Sequence, residues 1–329
     1  DRAPEALAAA RERSAAEIEA EIRRQLQFAR AWDALRAYAH RRGVRVFGDL
    51  PIYVAPDAVD CWVRREQFLL DEAGYPRAVA GVPPDYFAAT GQLWGNPLYD
   101  WEQAQRDNFG YFRARVAAAL RRFDLLRIDH FRALQSHWAV PADAPDARAG
   151  SWQPTPGRAL LAALCQDHPD RPFVAEDLGA MTPQVTALRD EFALPGMQVL
   201  QFAFDGDPAN AHWPAHGPEN AVAYVGTHDN DTALGWVRSC DPQTLQRAEQ
   251  LLGVPAADLP QAMIDAVLAA PARLAVLTMP DLLGLGSEAR FNTPGTATGN
   301  WQWRLPPGAL RADLAERLRA RVAATARLP

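Results

Sequence analysis

The feature that most restricts how this 329-residue chain can fold is a repeated alternation of helical stretches with short apolar runs, each run ending in a cluster of polar residues. The runs are VRVFGDLPIY (44 to 53), DLLRIDHF (124 to 131), FVAEDL (173 to 178), MQVLQFAF (197 to 204), AVAYVGTHDND (221 to 231) and LAVLTMPDLL (274 to 283). Helical patterning is expected from the start to about Arg42, over Glu102 to Arg122, 157 to 167, Pro183 to Phe192, 243 to 252 and 258 to 270. An amphipathic helix in ALRADLAERLRARVAATARL is expected to close the chain. Continuous apolar runs joined by helices are how parallel strands buried on both faces read in sequence. The expected fold is therefore α/β, of the (β/α)8-barrel type, with the polar clusters gathered at the strand C-terminal ends. An open doubly wound sheet would also put a site there, but no G-x-G-x-x-G turn follows any strand.

Six candidate strands are two short of a closed barrel of eight. The expectation is accordingly one catalytic barrel domain over residues 1 to 329, holding about strands three to eight and truncated on its N-terminal side. Two further segments stand out, the Pro/Gly/aromatic stretch GVPPDYFAATGQLWGNPLYDW (81 to 101), read as a loop, and a Pro/Ala-rich insertion (141 to 156). Loops this long inside a domain are usually functional.

Composition narrows the chemistry. With 48% hydrophobic and 22% charged residues the chain can bury a large core. Its net charge of −6 comes without a concentrated basic block, which argues against nucleic acid as a partner. Every Lys/Arg position is Arg, so Schiff-base chemistry, a lysine base and a Walker-type phosphate loop are excluded. Cys61, Cys165 and Cys240 are far apart and odd in number, fitting neither a disulfide framework nor a zinc site. No apolar stretch long enough to cross a membrane occurs, and the first residues are charged and helical in period, so a cytoplasmic location is expected.

Three strand ends carry acids. Arg127 and Asp129 lie two apart in LLRIDHF and would project to one face, where the guanidinium favours an ionised carboxylate suited to act as a nucleophile. A structural ion pair would give the same pattern. Glu176, at the end of FVAEDLG, is placed for burial that keeps it protonated as a general acid, whereas Asp177 would face the other way; either acid could instead cap the following turn. YVGTHDNDT offers His228 and Asp229 to a site, while Asn230, Asp231 or Thr232, with Asp231 favoured, would cap the next helix. No second His stands at a ligand spacing, so no metal is expected. Tyr86, Phe87, Trp94, Tyr99 and Trp101, with Trp301 and Trp303 later, offer flat faces of the kind that suit sugar rings, although any one of them could be core. Carboxylates on different strands are what glycosidic chemistry needs: one attacks the anomeric carbon and another protonates the leaving oxygen, about 5 Å apart in the retaining case.

These residues resemble a known family, the 4-α-glucanotransferases of amylomaltase and disproportionating-enzyme type, family 77 of the glycoside hydrolases in the α-amylase clan. The stretches GDLPIYV, GVPPDYFAATGQLWGNPLYDW, LLRIDHFRAL, FVAEDLG, YVGTHDNDT and SEARFNTPGTATGNWQWR carry the resemblance, in the family's order, from about residue 44 to 304. The resemblance implies Asp129 as nucleophile, Glu176 as general acid/base and Asp229 as the third acid, which grips sugar hydroxyls in the distorted ring. It implies that Asp49, Arg127, His130 and His228 hold the donor sugar, and that Asp85, Gln92 and Trp94 belong to a lid over the acceptor side. Asp205 and Asn292 would be further sugar ligands. The implied activity is transfer of α-1,4-glucan segments to the 4-hydroxyl of glucose or a maltooligosaccharide, with no metal or organic cofactor. The partners are maltooligosaccharides, amylose or glycogen-derived glucans. An α-glucan hydrolase of the same clan and an inactive glucan-binding fragment are the alternatives. Two departures stand out: the family's first two strands and a substrate-contacting Tyr would lie upstream of this chain, and Pro280 occupies a position where Gln is expected.

Overall fold

The computed structural model describes residues 2 to 84, 89 to 179, 181 to 296, 298 to 325 and 327. It divides into two compact units, Asp1–Phe173 and Val174–Pro329, with the division falling inside one strand.

In the first unit the parallel strands are β1 (Phe47–Leu50), β4 (Leu125–Ile128) and the start of β7 (Phe173–Ala175). β1 and β4 pair in parallel with Asp49 opposite Arg127. On the other edge of β4, Leu126 N–H donates to the carbonyl of Pro172, bringing in the chain that enters β7. Leu126, Ile128 and Phe173 are all buried, as expected where helices cover both faces of a parallel sheet. Helix Gly157–Asp167 lays Gly157, Leu160, Leu161 and Leu164 on one stripe, the spacing of a helix with one apolar face. Gly157 sits so close to the Leu134 carbonyl that a Cβ there would be 1.8 Å from its oxygen.

A second sheet was not expected from the sequence. β2 (Ala78–Val82), β3 (Gln92–Pro97), β5 (Ser136–Pro141) and β6 (Ser151–Pro154) form an antiparallel sheet in the order β3-β2-β5-β6. The stretch 81 to 101, read as a loop, thus contributes the end of β2 and all of β3, and the insertion at 141 to 156 contributes β6. Val79, Val140 and Ala147 form the small core beneath this sheet. The helix expected from Glu102 to Arg122 is also broken, into Trp101–Arg106 and Gly110–Leu120. Asn108 and Phe109 between them take positive φ angles of 52° and 56°, which no helix continues through.

The long helix Ala15–His40 buries no residue and is tethered near its C-terminal end. There Asp124 accepts from Arg36 at 2.5 Å, His40 at 2.9 Å and the Val46 amide at 2.8 Å. Burial opposes the charge on Asp124, but these donors outweigh it and hold the carboxyl down at about 2.

The second unit continues the α/β alternation. Ala175 N–H donates to the Pro195 carbonyl ahead of β8 (Gly196–Val199), which pairs in parallel with β9 (Ala221–Tyr224), and β9 with β10 (Leu274–Val276). Every residue of β8 and β9 is buried. Leu200, Phe204, Val225, Met263, Ile264 and Val267 belong to one apolar core. The Asp241 carboxylate accepts from the Gln243 and Thr244 amides at the start of helix Pro242–Leu252, and Pro242 fills a position whose amide has no helical partner. All six apolar runs read as parallel strands contain strands, although three of them turn helical towards their ends, at Phe131–Leu134, Leu200–Phe202 and Met279–Leu282. Pro280 is accommodated in the first turn of Met279–Leu282, where Thr278 caps the Asp281 amide.

Candidate active site

The C-terminal ends of β1 and β4 bring Asp49, Arg127 and Asp129 together. The parallel register sets Asp49 beside Arg127, and the period of two along β4 sends Arg127 and Asp129 to the same face. Arg127 forks onto Asp49, Nε to Oδ1 and Nη2 to Oδ2 at 2.9 Å each, and Nη2 also donates to Asp129 Oδ1 at 2.7 Å. The Asp129 amide donates to the Leu50 carbonyl at 3.1 Å, so the acid is fixed through both backbone and side chain. The arginine side chain is 10% exposed, whereas Asp49 and Asp129 remain 40% and 38% exposed. A buried cation thus orients two carboxylates that still reach solvent and, with it, an incoming ligand.

Immediately after Asp129, His130 adopts a left-handed φ of 49°, turning the chain into the short helical turn Phe131–Leu134. Such a conformation is costly outside glycine and collects at functional sites. Its ring meets the edge of Trp94 at 4.8 Å and lies 6.5 Å from Tyr53. Burial, with Arg132 adding to it, pushes the imidazole down to about 4, so His130 is neutral around pH 7. Trp94, on β3, is 37% exposed, and its Nε1 donates to Gln92 Oε1 at 3.1 Å. Trp94, Gln92 and His130 therefore form one partly exposed group, backed by Tyr53 and the buried Tyr99, whose hydroxyl donates to the Ile52 carbonyl. Asp85, Tyr86 and Phe87 lie outside the described residues.

In the second unit Glu176 follows β7 and is half-buried, and the Leu178 amide donates to its Oε1 at 3.0 Å. Asp177 is buried, accepting from the Met197 amide at 2.7 Å and from Arg189. The two neighbouring acids are thus separated as the strand period implies: Asp177 is locked into the interior, and Glu176 is left half-exposed.

After β9, His228 and Asp229 lie together, His228 Nε2 3.4 Å from Asp229 Oδ2. Asn292 Nδ2 donates to Asp229 Oδ1 at 2.6 Å, so these three predicted residues form one group. The ring of Trp301 lies 5.3 Å from that of His228. The helix Ala233–Ser239 is capped by Thr232, which accepts from the Gly235 amide, and not by Asp231 as expected. Asp231 instead accepts from the Thr232 amide and from Ser287 Oγ. Among the described residues no hydrogen bond or ion pair joins Asp205 to this group: it is exposed, and its carboxylate accepts from the Asp207 amide. Sequence reasoning singled out neither Tyr53, in the GDLPIYV stretch, nor Arg290, which binds the Asp229 carbonyl at 2.6 Å. Tyr53 could have been found from its place just past a strand end; Arg290 has no local signal.

A family model described as 4-alpha-glucanotransferase matches residues 1 to 311. The chain belongs to the 4-alpha-glucanotransferase family. It is 46% identical over 337 aligned residues to the 4-alpha-glucanotransferase of Thermus thermophilus, covering 99% of this chain and 67% of that one. The Synechocystis 4-alpha-glucanotransferase is 48% identical over 85% of this chain and 56% of its own length. The chloroplastic/amyloplastic 4-alpha-glucanotransferase of Arabidopsis thaliana is 44% identical over 87% and 50%. The chain thus spans from half to about two thirds of these relatives. Among solved structures, the amylomaltase from Streptococcus agalactiae in complex with acarbose superposes with a TM-score of 0.96 at 34% identity, over 100% of this chain and 67% of that one. The α/β architecture is therefore that of amylomaltase. No helix among the described residues is long and apolar enough to cross a membrane.

Proposed function

We propose that this chain is the catalytic part of a 4-alpha-glucanotransferase that moves α-1,4-glucan segments by a retaining double displacement. The observation that carries the reading is the match over its whole length to an amylomaltase structure in complex with acarbose. In the first step the Asp129 carboxylate attacks the anomeric carbon of the donor while Glu176 gives its proton to the departing glycosidic oxygen, leaving a glycosyl ester on Asp129 and a shortened glucan. In the second, Glu176, now ionised, takes the proton of an acceptor 4-hydroxyl, whose oxygen attacks the same carbon and releases Asp129. Asp229 grips the hydroxyls of the distorted ring. Asp49, Arg127, His130 and His228 hold the donor sugar, and Asp205 and Asn292 bind further sugar hydroxyls.

A neutral His130 suits the assigned role, because a burial-depressed imidazole offers a sugar hydroxyl both a donor and an acceptor nitrogen. The segment 81 to 101, with Asp85, Gln92 and Trp94, acts as the lid over the acceptor, favouring a sugar hydroxyl over water at about 55 M by oriented binding. The parallel strands are the third to eighth of a (β/α)8-type barrel, and residues 1 to 329 form one catalytic domain. Substrates are maltooligosaccharides, amylose or glycogen-derived glucans with glucose as an acceptor, no cofactor takes part, and the setting is cytoplasmic.

Incubation with maltotriose, with products resolved by length, tests the reading. A ladder of longer maltooligosaccharides together with glucose, lost in Asp129→Asn, is the expected result. Shorter products alone would indicate a hydrolase. Retention of amylose with its chain lengths unchanged would indicate a binding fragment.

A further inference from the structure

Arg290 lies between two segments far apart in sequence and holds both by their backbones. Its Nη2 donates to the carbonyl of Asp229 at 2.6 Å and its Nε to the carbonyl of Asn292 at 2.8 Å. The two segments are joined again by the Asn292 amide, which donates to the His228 carbonyl at 3.1 Å, and by Asn292 Nδ2 on Asp229 Oδ1 at 2.6 Å. The loop that follows returns to the same place, with the Trp301 amide on the Phe291 carbonyl at 2.7 Å and its ring against His228.

The guanidinium plane is what allows one side chain to serve two carbonyls in fixed directions, which a single ammonium cannot do with the same geometry. With both backbones pinned, the Asn292 amide is aimed at one oxygen of Asp229. That leaves Oδ2, in a side chain 44% exposed, as the oxygen beside His228 Nε2. We propose that Arg290 is a positioning residue for Asp229: by tying the Asp229 and Asn292 carbonyls together it fixes which carboxylate oxygen is presented to sugar hydroxyls. This rests on the reading of Asp229 given above.

Because the assigned grip of Asp229 tightens in the distorted ring, loosening it costs turnover more than ground-state binding. In maltotriose disproportionation, Arg290→Met is expected to lower kcat by about 10- to 100-fold with KM within about threefold, the scale of a misplaced catalytic group. Arg290→Lys, which keeps the charge and donors but not the planar fork, should recover part of the loss. The deciding readout is a double-mutant cycle: in an Asp229→Asn background, Arg290→Met should cost less than about threefold further. Thermal melting of each variant runs in parallel, and Arg290→Lys and Arg290→Gln carry the cycle if the Met variant does not fold. An equal loss in both backgrounds, or a loss that tracks melting temperature alone, overturns the proposal. Full activity of Arg290→Met beside a crippled Asp229→Asn also overturns it while leaving the reading of the site intact. An inactive parent chain, or an unimpaired Asp229→Asn, sinks the reading itself and the proposal with it.

Discussion

Replacing Arg127 with Met should be among the most damaging single changes in the first unit. The substitution keeps the buried stem but removes three charge-assisted hydrogen bonds, two to Asp49 and one to Asp129. Bonds of this kind are each worth about 1.5 to 3 kcal/mol in mutational series, and breaking a buried pair costs about 3 to 5 kcal/mol because a charge is left uncompensated. Here Asp49 and Asp129 are 40% and 38% exposed, so water recovers part of the loss. A net destabilisation of about 3 kcal/mol follows, equivalent to roughly 6 to 12 °C in melting temperature for a unit of this size. Asp49→Asn in the Arg127→Met background removes the carboxylate charge that had lost both arms of the fork and should restore about 1 kcal/mol, a non-additivity expected of groups in one network. Arg127→Lys keeps the charge but cannot fork, and should fall between the parent and the Met variant. Circular dichroism melts of the four variants supply the measurement. A melting temperature for Arg127→Met within about 1 °C of the parent, or simple additivity with Asp49→Asn, would refute the reasoning.

Two other perturbations follow from the same geometry. His137, 5% exposed with Nδ1 2.9 Å from Thr155 Oγ1, is pushed down by burial to about 4 from an ordinary 6.5. The folded value lies below the unfolded one, so between these limits the unfolded chain binds more protons. The stability the neutral imidazole contributes above about pH 6.5 is therefore lost as pH falls towards 4, by about 3 kcal/mol. His130 adds a fall in the same window, and His137→Asn should flatten the melting-temperature profile between pH 7 and pH 4 without changing its direction. Asp177→Asn removes the charge paired with Arg189 beside the Met197 amide and should destabilise by about 3 kcal/mol. Its rate per folded molecule, measured below the melting transition, should stay within about threefold of the parent; a selective loss of rate would mean that the wrong neighbour of the Glu176–Asp177 pair has been assigned to chemistry.

How far the sequence could be read depended on whether local pattern or distant pairing decided each element. Runs such as FVA and AVAY are buried on every residue, and their apolar continuity followed by Glu176 or His228 announces both the strand and the polar end it carries. The Arg127 and Asp129 pair was legible because a period of two along β4 decides which side chains share a face, whereas Asp49 was implied only by the family resemblance and is set beside Arg127 by the register of β1 on β4. The antiparallel sheet was not legible. SWQP is exposed throughout and QLWGNP over its first half, and both contain Pro; what makes them strands is pairing with Ser136–Pro141 and Ala78–Val82, not an amphipathic pattern of their own. The helix break at Asn108 and Phe109 was hidden by apolar residues that continue in helical spacing on both sides. Asn230, Asp231 and Thr232 are all competent caps, and the choice fell to Thr232 because Ser287, 56 residues away, engages the Asp231 carboxylate. Arg290 escaped for the same reason, its partners being carbonyls that no spacing rule connects to it.

The most direct test of the central claim is to trap the covalent intermediate. A 5-fluoro-α-glucosyl fluoride combines a slowed glycosyl transfer with a good leaving group, so a retaining enzyme accumulates its glycosyl ester. Intact mass followed by peptide mapping should find one glycosyl group, on the peptide containing LLRIDHF, attached to Asp129 and absent from Asp129→Asn. A label on another carboxylate such as Asp49, or turnover of the fluoride with no ester on Asp129, would contradict the account.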